Sequence, residues 1–247
     1  MNPGRRRRTF SVALIGPDGA GKTTIARVLP ARLPMRTTYL YMGVAAESSN
    51  KLLPTTRLIE ALKARRRMSP AAPSSTSAVH GTDGARVTRR RRRPLRVAAR
   101  AIGAGLRLGN RMAEEWYRQG IAWAHQAKGE VVLFDRHFYI DYHAADIAGA
   151  PTSGRRRVHG WMLGHVYPRP DLVVYLDAPT EVLLARKGEG TLESIARRQA
   201  DYRSLADEVE HFAIVDANRP LEAVIDDVVQ EIVTFAGTSR RSRPRSA

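Results

Sequence analysis

The sequence contains no cysteine, which excludes disulfide bonds and thiolate metal sites and permits a reducing compartment. It also lacks long apolar runs: no stretch approaches the roughly 18 residues that a membrane-spanning helix needs. Lysine is scarce, because only five of the 41 lysines and arginines are lysine and the other 36 are arginine. We therefore expect neither a disulfide scaffold nor an integral membrane protein.

Positive charge, by contrast, is in excess, with a formal net charge of +17 over 247 residues. Arginine runs can neutralise the phosphates of nucleic acid or of an anionic membrane surface. They can equally be solvated segments, and this second explanation is favoured because aromatic residues do not interleave with the arginines as a stacking surface requires. The runs are Arg5–Arg8, Arg65–Arg67, Arg89–Arg93, Arg155–Arg157 and the basic tail SRRSRPRSA.

The first residues, MNPGRRRRTFSVALIG, superficially resemble a twin-arginine export signal. The apolar run after the arginines is short and continues directly into a glycine-rich loop. We interpret it as the first core strand and predict a cytoplasmic protein.

Predicted strands alternate with predicted helices along the chain, which favours an α/β fold with a mostly parallel sheet covered on both faces. The predicted strands are 9–16, 37–43, 130–137, 170–179 and 212–217, and the predicted helices are 21–33, 52–66, 95–127, 180–186, 191–207 and 219–236.

Residues 69–93 differ in composition from the rest, being rich in Ser, Pro, Ala, Gly and Arg and poor in large apolar residues. This composition predicts a disordered basic insertion. We therefore expect one domain at 9–236 that carries this insertion, with basic disordered tails at 1–8 and 237–247.

The most informative motif is GPDGAGKT, which follows a predicted strand and opens a predicted helix. Glycines let the backbone N–H groups of such a loop turn inward toward phosphate oxygens, and the helix N-terminus favours negative charge. Lys22 would reach the β- and γ-phosphates of ATP, and the Thr23 hydroxyl would hold Mg²⁺. The predicted ATP-binding residues of the motif are Gly16, Asp18, Gly19, Ala20, Gly21, Lys22, Thr23 and Thr24.

With its acidic third residue, GPDGAGKTT resembles the loop of the thymidylate-kinase-like branch of P-loop kinases. Further stretches resemble the same branch in the same order: VVLFDRH, PDLVVYLDAPTEVLLAR, RRQADYRSLA and FAIVDANRPLEAVIDDV. The resemblance covers about 9–35 and 112–236. It implies a three-layer P-loop NTPase fold and transfer of the γ-phosphate of ATP-Mg²⁺ to a nucleoside monophosphate, dTMP by default, or to a related small anionic acceptor.

The Asp-Arg pair that ends the third predicted strand is expected to serve this chemistry. Asp135 at a strand C-terminus near the glycine loop is placed to organise Mg²⁺ and its waters. Arg136 can hold an anionic group of the acceptor as a two-pronged fork. The alternative is an ion pair that only stabilises the strand end.

By resemblance, the stretch ARKGEGTLESIARR is a lid that closes over ATP. The glycine loop carries no arginine, so a lid residue is expected to act in transfer, with Arg186 the first candidate and Arg197 or Arg198 the next. Asn218 would border the adenine, again by resemblance only. A solvated helix face is the alternative for the lid arginines.

The acceptor side is where the resemblance fails. YLYMGVAAESS replaces the family's Arg-Glu-Pro-Gly stretch, and the position of the family's base-contacting arginine falls on Glu114, with Arg111 a turn earlier. Asp18, Arg136 and Tyr139 are the predicted acceptor-binding residues, although Asp18 can also be a turn-stabilising carboxylate and Tyr139 a packing residue.

The sequence therefore leaves two classes of function open. One is a kinase of small anionic acceptors, and the other is a nucleotide-regulated binding protein that docks on nucleic acid or an anionic membrane through its arginine runs. The oligomeric state stays open, with a homodimer among the options.

Overall fold

The computed structural model describes residues 9–43, 88–143, 147, 153–188 and 190–238, with the side chains of 88–101 excepted. The predicted helix 52–66, residues 69–87 of the predicted insertion, and the tails at 1–8 and 239–247 lie outside the described residues.

Five strands and seven helices make up the described part of the chain. The strands are β1 (Ser11–Ile15), β2 (Thr37–Tyr41), β3 (Val131–Asp135), β4 (Leu172–Asp177) and β5 (Phe212–Asp216). The helices are α1 (Lys22–Arg32), α2 (Thr88–Ala127), α3 (Phe138–Tyr142), α4 (Gly154–His165), α5 (Thr180–Lys187), α6 (Leu192–Arg203), which continues into a 3₁₀ turn (Ser204–Asp207), and α7 (Leu221–Thr238).

All five strands join one sheet in the order β2-β3-β1-β4-β5, and every neighbouring pair is parallel. Helices flank this sheet, so the predicted P-loop NTPase-like α/β class is confirmed. In a parallel sheet all strands end at the same edge, and the loops that follow them converge there. The glycine loop after β1 and the Asp-Arg pair after β3 therefore meet at this carboxyl edge.

Burial of the strands follows their positions in the sheet. The two strands around the centre, β1 and β3, are buried along their whole length, whereas the edge strand β5 alternates toward solvent. Val12, Leu14 and Val174 belong to one core cluster with Leu29 of α1 and Ile225 of α7. Each such fully buried aliphatic side chain stabilises the fold by about 1.5–3 kcal/mol.

Three boundaries or elements differ from the sequence predictions. Helix α2 begins at Thr88 rather than near 95, and so includes the whole arginine run Arg89–Arg93 assigned to the insertion. Helices α3 and α4 were not predicted, because the stretch after Asp135 has no regular apolar period. Helix α4 begins at a local signal, since the Ser153 side chain accepts a hydrogen bond from the Arg156 N–H.

By its internal contacts the chain divides into two units, Met1–Asn50 with Arg118–Ala247, and Lys51–Tyr117. Every element of the site described below belongs to the first unit. Among the described helices, none combines the length and the apolar character needed to cross a membrane.

Candidate active site at the glycine loop

The glycine loop packs closely against the end of β4 and against α5. Gly16, Gly19 and Gly21 have φ values of 148°, 90° and 84°, a region that residues with a Cβ rarely occupy. A Cβ on Gly16 would lie 2.6 Å from the Leu176 carbonyl oxygen, and one on Gly19 would lie 2.9 Å from that of Leu183. Glycine is therefore required at positions 16 and 19 by both conformation and space, and at position 21 by conformation.

Lys22 opens α1 and folds back over the loop that precedes it. Its ammonium donates a hydrogen bond to the Pro17 carbonyl at 2.6 Å, and only 5% of its side chain is exposed. Burial, assisted by the nearby Arg136 guanidinium, lowers the pKa of Lys22 to about 8. Ala20 is buried beside it, whereas Thr23 and Thr24 are exposed at the start of α1.

Four cations converge on the carboxylate of Asp18. Arg136 Nη2 lies 2.5 Å and Lys22 Nζ 3.8 Å from Oδ1, while Lys187 Nζ lies 2.7 Å and Arg198 Nη1 3.5 Å from Oδ2. These five residues are called the loop cluster below. They come from the glycine loop with the start of α1, the residue after β3, the last residue of α5 and the middle of α6.

The cations of the loop cluster dominate the electrostatics of Asp18. Burial alone would raise the pKa of Asp18, but hydrogen bonds from Lys187 and Arg136 hold it well below its ordinary value. Asp18 is therefore a carboxylate at any physiological pH. Its side chain keeps 25% exposure, so the pairs are partly screened by solvent.

Asp135 is fully buried at the end of β3, beside Leu14 in the register of β1. The Tyr39 hydroxyl donates a hydrogen bond to its Oδ2 at 3.0 Å. Burial, and then the charge of Asp135, raises the pKa of Tyr39 to about 12. The other oxygen of Asp135, Oδ1, is buried without a hydrogen-bond partner among the described residues.

This unpaired oxygen is what a magnesium site at the loop requires. Mg²⁺ prefers oxygen ligands and retains several waters, so the Asp135 carboxylate and the exposed Thr23 hydroxyl suit it. Nowhere in the described ranges do three or more acidic or histidine side chains converge as a ready-made metal site. A magnesium ion here would therefore take phosphate oxygens and waters as its remaining ligands.

Arg136 adopts an unusual backbone conformation for a residue with a side chain. Its φ is 69°, in the left-handed region, where a non-glycine residue costs about 1–3 kcal/mol. Gly43 leaves room for the resulting side-chain position, because a Cβ there would lie 2.7 Å from Arg136 Cδ. Burial works against the charge of Arg136, yet Asp141 and Asp18 raise its pKa above the ordinary value.

The lid residues divide between two places. Arg186 donates a hydrogen bond to the Ala217 carbonyl at 3.0 Å, at the end of β5 and next to Asn218. Lys187 and Arg198 instead reach Asp18, while Arg197 is exposed on α6. The structure thus places Arg186 against Ala217, the residue before Asn218, and puts two other cations at the glycine loop. That Arg186 and Asn218 border the adenine stays a prediction.

Tyr139, a predicted acceptor-binding residue, is fully buried. The Arg169 guanidinium lies 4.9 Å from the centre of its ring, and the His143 ring lies 5.5 Å away. Its hydroxyl is buried without a hydrogen-bond partner in the described chain. The structure does not bring Tyr139 to the loop cluster, and its role in acceptor binding stays a prediction.

The sequence reasoning missed two charged residues near the loop. Arg118 is buried in the first unit, donates a hydrogen bond to the Gly43 carbonyl at 3.0 Å and lies 5.3 Å over the Phe138 ring. It stands one helical turn after Glu114, so the helical period was the signal that could have found it. Asp141 in α3 faces the cations, and burial raises its pKa to about 6 although Arg136, Lys22 and Arg198 pull it down.

Two curated proteins resemble parts of the chain. The first is "Probable thymidylate kinase 1" of Saccharolobus solfataricus, 24% identical over 119 residues, which cover 45% of this chain and 60% of the relative. The second is "Thymidylate kinase" of Alteromonas mediterranea, 37% identical over 76 residues, which cover 27% of this chain and 34% of the relative. The chain thus spans about 60% and 34% of the lengths of these relatives, and no protein-family model matches it.

Proposed function

We propose that this protein is an ATP-dependent phosphotransferase that transfers the γ-phosphate of ATP to a small anionic acceptor. A nucleoside monophosphate is the first acceptor class, with dTMP as its first member. The observation that carries the proposal is the convergence of four cations on the glycine loop beside Asp135, whose buried Oδ1 has no hydrogen-bond partner among the described residues. The two relatives named as thymidylate kinases support the same class of reaction.

In this reaction an oxygen of the acceptor attacks the γ-phosphorus of ATP. A new phosphorus–oxygen bond forms, the bond to the bridging oxygen breaks, and ADP leaves with that electron pair. The enzyme contributes position and charge rather than a covalent intermediate. Lys22 would hold the β- and γ-phosphates, and the Arg136 fork would hold an anionic group of the acceptor.

Bound Mg²⁺ would neutralise charge between the β- and γ-phosphates, and Thr23 and Asp135 are the residues that would hold it. On the opposite side of the donor, Arg186 and Asn218 would border the adenine. The cations at the loop number four, against the three carboxylates Asp18, Asp135 and Asp141, which suits a polyphosphate ligand.

The test is ADP formation measured in a coupled assay across nucleoside monophosphates, nucleosides and sugar phosphates. The panel is broad because YLYMGVAAESS replaces the acceptor stretch of the resembling family. One acceptor class is expected to stimulate ADP formation, and Lys22→Ala is expected to lower that rate by about 100-fold or more, the scale of losing one main charge-stabilising group.

A matched control is Lys128→Ala, which removes an exposed lysine from the turn before β3, at the opposite edge of the sheet. Its rate is expected to stay within about twofold of the wild type, as for a surface substitution away from the site. If no acceptor stimulates ADP formation, or if Lys22→Ala is as active as Lys128→Ala, the proposal is wrong.

A further inference from the structure

We propose that the Asp18 carboxylate is a built-in substitute for a phosphate. In the nucleotide-free protein it forms ion pairs with Lys187 and Arg198 at the glycine loop. When a polyphosphate binds, these two cations leave Asp18 and pair with the phosphate. The inference rests on the donor site proposed above and adds two things. It identifies the lid cations that bind phosphate, and it states that the Asp18 carboxylate and the phosphates of the nucleotide compete for them.

The Asp18 carboxylate holds two cations at each of its oxygens. Its partners among the described residues are all cations, and the two carboxylate oxygens divide them: Arg136 and Lys22 lie at Oδ1, Lys187 and Arg198 at Oδ2. A carboxylate that holds several cations at one point presents what a phosphate presents, an anion with more than one acceptor oxygen. The cations that would receive a phosphate are thus already assembled.

The four cations differ in how firmly the protein holds their side chains in place. Lys22 is anchored on the Pro17 carbonyl, and Arg136 is fixed by the strand end, where its N–H donates to the Leu14 carbonyl at 3.2 Å. Lys187 and Arg198 are more exposed, with 36% and 56% of their side chains accessible. These two are therefore the cations that can change partner.

The chain around Lys187 permits such a change. Lys187 is the last residue of α5, and Gly188 ends the helix with a φ of 71°. Among the described residues, no atom would lie within 4 Å of a Cβ on Gly188, so these surroundings leave room for the helix end to adjust. A carboxylate in the loop draws Lys187 and Arg198 inward, and the ion pairs with Asp18 must be given up when phosphate binds.

The experiment measures binding of inorganic tripolyphosphate, without magnesium, by isothermal titration calorimetry. Asp18→Asn keeps the size of the side chain and removes the competing anion, and we expect it to bind tripolyphosphate about tenfold more tightly than the wild type. The matched control is Asp177→Asn, which makes the same charge change at the same edge of the sheet, at a carboxylate that pairs with Arg203 instead. Its affinity is expected to stay within about twofold, because Asp177 has no ion pair with the loop cluster among the described residues and charges that are not in direct contact are screened by salt.

A double-mutant cycle tests the exchange of partners itself. In the wild type, Lys187 must leave Asp18 before it binds phosphate, so Lys187→Ala should cost little affinity. In the Asp18→Asn background no such ion pair is lost, so the same substitution should cost distinctly more, about fivefold or greater. If Lys187 only added its charge to a fixed site, the two costs would be equal.

Two results would overturn the inference: an Asp18→Asn affinity no higher than that of Asp177→Asn, or an additive cycle. Either leaves the proposed phosphotransferase intact, because wild-type binding and turnover are unaffected by them. If the wild type binds neither tripolyphosphate nor ATP, the donor site itself, and with it the proposed function, is lost.

Discussion

Two carboxylates at the carboxyl edge of the sheet, Asp18 and Asp177, are alike in exposure and differ in their partners. Their side chains are 25% and 22% exposed, and in both the pKa lies below the ordinary value despite burial. The described partners of Asp18 are all cations. Asp177 accepts hydrogen bonds from the Tyr175 hydroxyl at 2.8 Å, from the Gln199 amide at 3.0 Å and from Arg203 at 2.6 Å.

The difference shows which of the two groups is suited to exchange. Gln199 also donates to the Ala178 carbonyl and accepts from the Thr180 hydroxyl. The Asp177 group is therefore a network that ties β4 to α6 through neutral donors as well as through Arg203. Displacement of the Asp177 carboxylate would break the hydrogen bonds that Tyr175 and Gln199 donate to it, and with them part of the link between β4 and α6. At Asp18 the described side chains in direct contact are all cations. Burial and a lowered pKa therefore do not distinguish a binding site from a structural network, whereas the chemistry of the partners does.

The largest difference between the glycine-loop region, which contains Asp18 and Asp135, and the Asp177 network is expected in turnover. Asp135→Asn removes the charge of the residue proposed to hold Mg²⁺ and should lower kcat about 100-fold or more, the scale of losing one preorganised charge. Asp177→Asn should retain at least about one third of kcat, because its partners lie in the network between β4 and α6. The measurement is the coupled assay at saturating ATP with the acceptor identified from the panel. An Asp177→Asn protein as inactive as Asp135→Asn would remove the distinction between the regions.

The parts that could be predicted from the sequence are those whose signal is local. The buried strand before GPDGAGKT, the apolar runs of β3 and β4, and the proposed oxygen ligands Thr23 and Asp135 are all predicted from a few adjacent residues. Parallel topology brings the strand ends together without further information. Helix α4 is capped by Ser153 but lacks an apolar period strong enough to predict it. For that reason the sequence predicts no helix between β3 and β4.

The loop cluster could not be predicted because its contacts join distant parts of the chain. Asp18 is 118 residues from Arg136 and 169 residues from Lys187. Arg186 and Lys187 are neighbours in sequence, and the sequence does not say where the end of each side chain lies. The Arg186 Cβ lies near Gly19 and its guanidinium donates to the Ala217 carbonyl, whereas Lys187 reaches Asp18. The role of Arg186 in transfer, expected from the resemblance, stays a prediction.

An effect of intermediate size is expected in the free energy of unfolding and in how much tripolyphosphate increases it. Asp18→Asn and Asp177→Asn should each lower the free energy of unfolding by about 1–2 kcal/mol, because each leaves partly exposed cations without their carboxylate. Saturating tripolyphosphate should then stabilise Asp18→Asn by about 1.4 kcal/mol more than Asp177→Asn, the equivalent of tenfold tighter binding. Urea unfolding with and without tripolyphosphate measures both terms. Equal stabilisation of the two variants would contradict the difference drawn between the carboxylates.

The smallest effect concerns pH and arises from Lys22 in the loop cluster. Its pKa is lowered to about 8, chiefly by burial, and a bound phosphate favours the charged form and so raises that pKa. Affinity for ATP should therefore be flat below pH 8 and fall above it, by at most about tenfold per pH unit. The terminal phosphate of ATP is already ionised in this range, so its charge does not contribute to the change.

Titrations between pH 7 and 9.5 measure this dependence, with two variants that sharpen it. Lys22→Arg keeps a positive charge throughout and should bind more weakly overall but with a flatter profile. Asp177→Asn should retain the wild-type profile, because the cation of its network, Arg203, is an arginine and stays charged throughout this range even without the carboxylate. A wild-type affinity that is constant from pH 7 to 9.5 would show that Lys22 is not the titrating contact, and the Asp18 and Asp177 regions would then respond alike to pH.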